Sequence, residues 1–503
     1  MTKLRALTAL PLLLSGALAF GAKPRPVRVF SPRGAQRFMD RVVRRERAFY
    51  RPGVGYDGAT GMTFDGHDVD WKTGELRGTP RPVSAASKES LHLIFLTKAL
   101  TGEPLAERLL SPDVQDPKAA RGAALQVLER KIATYEQFDH DFPGYGGFLP
   151  WYEVGQGAGQ GRIAPAWDWK ERVPGLDNGQ LAWSLYVTAN ALRDLGETKL
   201  AARYQQHLDK MRANVVRIFY DPAAHKLRAE AKLGAGNLVS PAQNRYENNV
   251  AGYFLDDSYE GLLLGHFADL MGDWRDHPGG RAAVFEQPRR NPTSLKLGDR
   301  EITASRGHWF SAHEDWGYLV LPFRDVPIAD QLFRNAQRAR TAWSLEHGWR
   351  GLLASTHQPV SGNVVPKYVS ALGVPPLGKL PTVAHPIFAP YATFPLALVD
   401  KPIFATWLWA TLKAPGMWGP YGMGESFAED GTHAPLLTWD GKALPLVAWM
   451  GGIGDDVGRL LKRDGLYDRF RSRVEHDFAR FDGVPIEGTK LPMSAPATKY
   501  LDR

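Results

Sequence analysis

The chain has no cysteine in 503 residues, so disulfides, thiolate metal ligands, a thiol nucleophile and a lipid-modified cysteine are all excluded. Its 14 histidines contain no His-Glu-x-x-His pair, and His313 stands directly beside Glu314 rather than one helical turn from it, which argues against a zinc site. There is no Gly-x-Ser-x-Gly elbow and no phosphate-binding loop, and no metal or cofactor is expected. A formal charge of +8 is small for this length, and no run of five basic residues focuses it. Nucleic-acid binding, which wants a concentrated basic patch, is not expected.

Apolar runs long enough to cross a membrane are also missing. The nearest is at the N-terminus, where Lys3 and Arg5 precede an apolar run from Ala6 to Phe20 and the small-x-small triplet Ala17-Leu18-Ala19. Residues 1–22 therefore read as a secretory signal peptide, and the mature protein as periplasmic or secreted without stable membrane insertion. With 44% hydrophobic residues and no linker-like stretch, residues 23–503 are expected to form a single domain around a large core.

What is abundant is helical patterning. The organising stretch is Asn248 to Asp273, where Asp256, Asp257, Ser258 and Glu260 lead into a helix apolar on nearly every side. Such a helix must be enclosed by protein. Carboxylates at its mouth are poorly solvated, which fits Glu260 for proton donation near neutral pH. The spacing Asp257-x-x-Glu260 also fits a capping box. A basic first helix is expected over 35–50, on the surface, and others start near Ser84 or Ser87 and near Pro117. Another starts at Leu176, where Asp177 or Asn178 serves as cap. Asp65, Asp68 and Asp70 read as turn residues. Greasy helices that begin with acids alternate with more polar ones. The pattern predicts an all-α fold of two concentric helical layers, with the starts of the inner helices at one end.

Two loops are rich in glycine and aromatics, Phe142 to Trp169 and Met417 to Phe427. Trp151, Tyr152, Trp167 and Trp169 are flat faces of the kind on which sugar rings stack, and long irregular loops are often functional. Asp440, at the start of a second greasy helix, is the other acid that such a layered fold would bring to one cavity with Glu260. Its alternative role is helix capping.

The blocks TGMTFD, SAASKESLHLIFLTKALTG, GGFLPWYE, LDNGQLAWSLYVTANAL, DDSYEGLLLGHFADLMGDW, HWFSAHEDWGYLVLP, GLLAST and TWDGKALPLVA occur in this order. The series resembles the glucoamylase-like glycoside hydrolases, a group that includes the endo-β-1,2-glucanases and the transglycosylation domain of cyclic β-1,2-glucan synthases. The resemblance spans Tyr56 to Met450 and implies an (α/α)6 toroid. It places Glu260 as general acid and Asp440 as general base of an inverting enzyme, and puts Asp177 and Gln180 in the sugar cleft. In retaining members a glutamate is the nucleophile, and Trp316-Gly317 stands about where it would be, which argues against a covalent intermediate.

The expected partner is a polysaccharide or oligosaccharide, a β-1,2-glucan by resemblance. Trp151, Tyr152, Trp167, Trp309, His313, Glu314, Trp418 and Tyr421 join Asp177 and Gln180 as candidate substrate-binding residues. Glu425, Glu429 and Asp430 are rivals to Asp440 as base. The alternatives are a polysaccharide lyase on an acidic glycan, favoured by the positive charge, and a non-catalytic glycan-binding protein.

Overall fold

A computed structural model describes residues 29–497, apart from 71, 112, 114–115, 117, 156–160, 250–252, 256–258, 308–314, 354–356, 361–362, 369–372, 379–385 and 430. The expected signal peptide, the Asp257 half of the capping box, Trp309, His313, Glu314 and Asp430 lie outside the described residues.

Helices dominate. In chain order they are α1 (Pro32–Glu46), α2 (Ala86–Leu100), α3 (Pro104–Leu110), α4 (Ala119–Asp141), α5 (Gly175–Asp194), α6 (Thr198–Phe219), α7 (Tyr259–Met271) and α8 (Gly280–Val284). Then follow α9 (Trp316–Val320), α10 (Pro327–Glu346), α11 (Phe394–Val399), α12 (Lys401–Leu412), α13 (Trp439–Trp449), α14 (Gly454–Arg463) and α15 (Tyr467–Asp477).

Burial sorts them into layers. In α2 every residue except Lys98 is buried, and α5 is enclosed from Asn178 to Leu192. Leu262, Leu263, Leu264, Phe267 and Leu270 of α7 are buried around the helix, as all-round apolarity requires. Along this inner layer α2 packs on α5, α5 on α7 and α7 on α9, while α13 packs on α2 and α11 on α13. The more polar α4 lies outside α2, α6 outside α5 and α15 outside α7, while α12, itself apolar and largely buried, packs on α11 and is covered by α1. The arrangement is an (α/α)6 toroid.

Two differences from the sequence reading have simple causes. Helix α1 is basic but not merely a surface helix, because Phe38, Met39, Val42 and Val43 recur on one face and are buried against the outer layer. The hairpin Asn291–Leu297 with Arg300–Arg306 is not among the expected elements, although its buried Leu295, Leu297, Ile302 and Ala304 alternate with polar residues around a turn at Gly298.

Close backbone approach sets the contact between α5 and α7. A Cβ at Gly179 would lie 2.5 Å from the backbone nitrogen of Leu264. Alanine gains about 1 kcal/mol of intrinsic helix propensity over glycine. The backbone it meets cannot yield as a flexible side chain would, and overpacking costs about 1–3 kcal/mol. Gly179→Ala is expected to lower the thermal unfolding midpoint; an unchanged or raised midpoint would show that the two helices have room to part.

Candidate active site

The starts of four inner helices meet at one end of the toroid. Lys88 lies in the first turn of α2, Asp177 and Gln180 in the first turns of α5, Glu260 in that of α7 and Asp440 in that of α13. Helix starts carry partial positive charge, which favours the three carboxylates gathered there.

Gln180 is buried, and its Nε2 donates to Glu260 Oε1 at 3.0 Å, which holds the carboxyl of α7 against α5. Asp177 stands one turn before Gln180 on the same face, roughly 5–6 Å away between Cβ atoms. On its far side is Lys88, whose Nζ lies 3.1 Å from Asp440 Oδ2 and 3.9 Å from Asp65 Oδ1. Thus α5 links Glu260 on one flank with the Lys88 and Asp440 pair on the other.

Burial alone would discharge Lys88, whose side chain is 8% exposed. The charges of Asp440, Asp65 and Asp177 outweigh that penalty and raise its pKa above the ordinary lysine value. Asp177 is raised from the usual carboxylate value. Its desolvation is the largest cause, with repulsion from Asp440 adding to it, while Lys88 and hydrogen bonds from Ser87 and Trp151 act the other way.

Asp440 does not cap its helix. Thr438 is the N-cap, and its hydroxyl accepts from the Gly441 N–H at 3.1 Å. Asp440 is left for other work, and its Oδ1 is buried without a hydrogen-bond partner among the described residues. Similarly α5 begins at Gly175, so neither Asp177 nor Asn178 is its cap. Asn178 instead ties the preceding loop down, donating to the carbonyls of Leu149 and Pro174 and accepting from the Leu149 N–H.

Of the aromatic candidates, Trp151 reaches the cluster. Lys88 Nζ lies 5.0 Å from its ring centroid, and Trp169 stacks on it at 6.3 Å and 20°. Trp167, 78% exposed, stands at the outer edge of the same loop. Tyr152 is no sugar platform. It is fully buried, because strand alternation turns it inward, and its hydroxyl donates to Glu89 Oε1 at 2.9 Å. Trp418 and Tyr421 sit in a hairpin docked on α1, with Arg45 over the Trp418 ring and Lys442 donating to the Tyr421 carbonyl. Positions 440 and 442 point about 200° apart on a helix. The hairpin is therefore held on the side of α13 away from Asp440.

Two rivals to Asp440 are engaged elsewhere. Glu425, 2% exposed, accepts from the Thr438 N–H at 2.9 Å and from its hydroxyl, bracing the start of α13. Glu429 is near Arg350, at 3.9 Å.

The sequence reading missed Lys88 and misjudged Asp65. Lys88 and Glu89 are adjacent charged residues in the first turn of a helix that is otherwise largely buried and apolar, and that incongruity was the available signal. Asp70 does serve its turn, accepting from the N–H groups of Lys72 and Thr73, but Asp65 faces Lys88. Asp65 is held there because Gly66 pairs with Thr438 and the Trp439 N–H donates to the Asp65 carbonyl.

Comparisons with known proteins identify this arrangement. The family model described as endo-β-1,2-glucanase SGL matches residues 62–503. The chain belongs to the endo-β-1,2-glucanase family and is a glycoside hydrolase. It is similar to the endo-β-1,2-glucanase of Talaromyces funiculosus at 31% identity. In that enzyme's complex with sophorose the TM-score is 0.85, over 93% of this chain and 95% of that one. A second structure of that enzyme, a Glu-to-Gln mutant with β-1,2-glucan, aligns over 92% and 94% with the same score. The endo-β-1,2-glucanase of Chitinophaga pinensis shares the fold at 13% identity, with a TM-score of 0.56 over 89% and 97%. No curated protein matches the chain. Family membership removes the lyase and the non-catalytic alternatives.

Beneath the cluster, Glu89 accepts from Lys131 Nζ and Tyr135 Oη, both at 2.6 Å, and from the Thr63 N–H at 2.8 Å. These bonds join the elements that carry Asp65, Lys88 and Trp151. The Glu89 and Lys131 side chains are both 0% exposed. Breaking a buried pair by removing one partner costs about 3–5 kcal/mol. Lys131→Met is expected to lose stability on that scale in denaturant unfolding; a loss below about 1 kcal/mol, the range of exposed pairs, would mean the pair is not the anchor described.

Proposed function

We propose that the protein is an exported, inverting endo-β-1,2-glucanase, with Glu260 as general acid and Asp440 as general base. The observation that carries this reading is the placement of Glu260 and Asp440 on either side of α5, one held by Gln180 and the other by Lys88. Its support from relatives is that the Talaromyces funiculosus enzyme has been seen with sophorose and, as a Glu-to-Gln mutant, with β-1,2-glucan. The leader-like residues 1–22 support export to the periplasm or medium. The span of the family match supports one catalytic domain.

In this mechanism the glucan lies between the two acids. Glu260 protonates the departing glycosidic oxygen, directly or through a sugar hydroxyl. Asp440 takes a proton from water as that water attacks the anomeric carbon from the opposite face. Inverting pairs stand about 6.5–9.5 Å apart, which leaves room for the water. Lys88 occupies Oδ2 of Asp440, and Oδ1, without a hydrogen-bond partner among the described residues, is the acceptor assigned to the water. Trp151 and Asp177 border the sugar on the α5 side, and Trp167 extends the surface outward.

The test is hydrolysis of linear β-1,2-glucan followed by proton NMR of the fresh reducing ends. Inversion yields the α-anomer first; initial β-anomer would overturn the mechanism. Glu260→Gln is expected to lower kcat by about 10²–10⁴-fold, the usual contribution of a positioned acid, with glucan binding by calorimetry retained. Turnover close to wild type in this variant would remove Glu260 from the acid's role.

A further inference from the structure

Lys88 is an anomaly in its helix. It stands among the acids at the inner helix starts, and its side chain is almost wholly enclosed. Burying a lysine is costly unless it is paired, and its closest partner is the carboxylate read above as the base.

The charged groups around it come from every element that packs there. Asp440 approaches from α13 at 3.1 Å, Asp65 from the segment before α2 at 3.9 Å, and Asp177 from α5. Glu260, on α7, is held off by its bond to Gln180. The adjacent charges face elsewhere: Glu89 is bound to Lys131, and Lys442 to Glu46 at 2.7 Å. The Trp151 ring lies against the ammonium and adds a cation–π contact. Lys88 is thus fixed by Asp65 and Trp151 independently of Asp440.

We propose that Lys88 is a positioning residue for the general base, fixing Oδ2 of the Asp440 carboxylate so that Oδ1 is presented to the water. This rests on the reading of Asp440 as base. Removing the cation frees Oδ2, and repulsion from Asp65 and Asp177 then turns the carboxylate away from the water. A lysine that merely supported the fold would, when replaced, lower stability without separating kcat from KM in the folded enzyme.

The test is kcat and KM on linear β-1,2-glucan, with the thermal unfolding midpoint, for Lys88→Met, Lys88→Arg and Asp440→Asn. For Lys88→Met kcat is expected to fall by roughly tenfold to a hundredfold, the effect of a misplaced catalytic group, with KM nearly unchanged. Lys88→Arg, which keeps the cation, retains most of kcat. Near-normal kcat in folded Lys88→Met, or a loss in Lys88→Arg as large as in Lys88→Met, overturns the proposal. Should Lys88→Met not fold, Lys88→Met with Asp65→Asn removes one of the stranded acids and is expected to show the same fall in kcat; failure of both to fold makes Lys88 structural and also overturns it. Loss of turnover in Asp440→Asn with near-normal kcat in Lys88→Met refutes the Lys88 role alone, whereas near-normal turnover in Asp440→Asn refutes the base assignment itself.

Discussion

A buried ammonium surrounded by carboxylates is the constraint around which this candidate site is built. Three acids from different parts of the chain would repel one another in a poorly solvated cavity. Lys88 offsets that repulsion, and the converging helix starts contribute partial positive charge from the backbone. The toroid supplies the geometry, because its inner helices run in one sense and bring their starts to one end. The fold and the electrostatics are therefore one arrangement, since a cluster of this charge needs several helix starts and a cation in a single place.

Beneath it lies a second polar layer that is fully satisfied. Glu89 gathers Thr63, Lys131 and Tyr135 of α4, and Tyr152, which belong to three stretches of chain besides its own. Neighbours in sequence thus work at two depths. Lys88 and Trp151 face the cleft, while Glu89 and Tyr152, one residue on, face the support. On the other flank the Gln180 bond to Glu260 depends on the close approach of α5 to α7 at Gly179.

Much of this was legible in the sequence, for reasons that particular residues make clear. Glu260 and Asp440 could be picked out because each stands at the mouth of an all-round apolar helix, where a carboxylate is poorly solvated. The layered all-α fold followed from the alternation of such helices with amphipathic ones. Lys88 was hidden by its setting, because a lysine beside a glutamate near a helix start looks like an ordinary solvated pair. Only burial shows that Lys88 and Glu89 have separate partners. Tyr152 and Trp151 were indistinguishable as aromatics in one loop, and strand alternation, which sets one inward and the other toward the cleft, is a three-dimensional fact. Trp418 and Tyr421 share a glycine-rich loop chemistry with the first aromatic loop, yet the packing of their hairpin on α1 decides where they lie. Asp440 resembled a helix cap because the true cap, Thr438, is a weaker cap former two residues earlier.

The central claim is that Glu260 and Asp440 address one glycosidic bond from opposite faces. A crystal structure of Glu260→Gln soaked with a β-1,2-glucan oligosaccharide tests it most directly. The account predicts a sugar ring between the two side chains, the scissile oxygen on the residue 260 side and an ordered water within hydrogen-bond reach of both Asp440 and the anomeric carbon. A glucan bound with its linkage remote from residue 260, or with Asp440 separated from the anomeric carbon by protein, would contradict it.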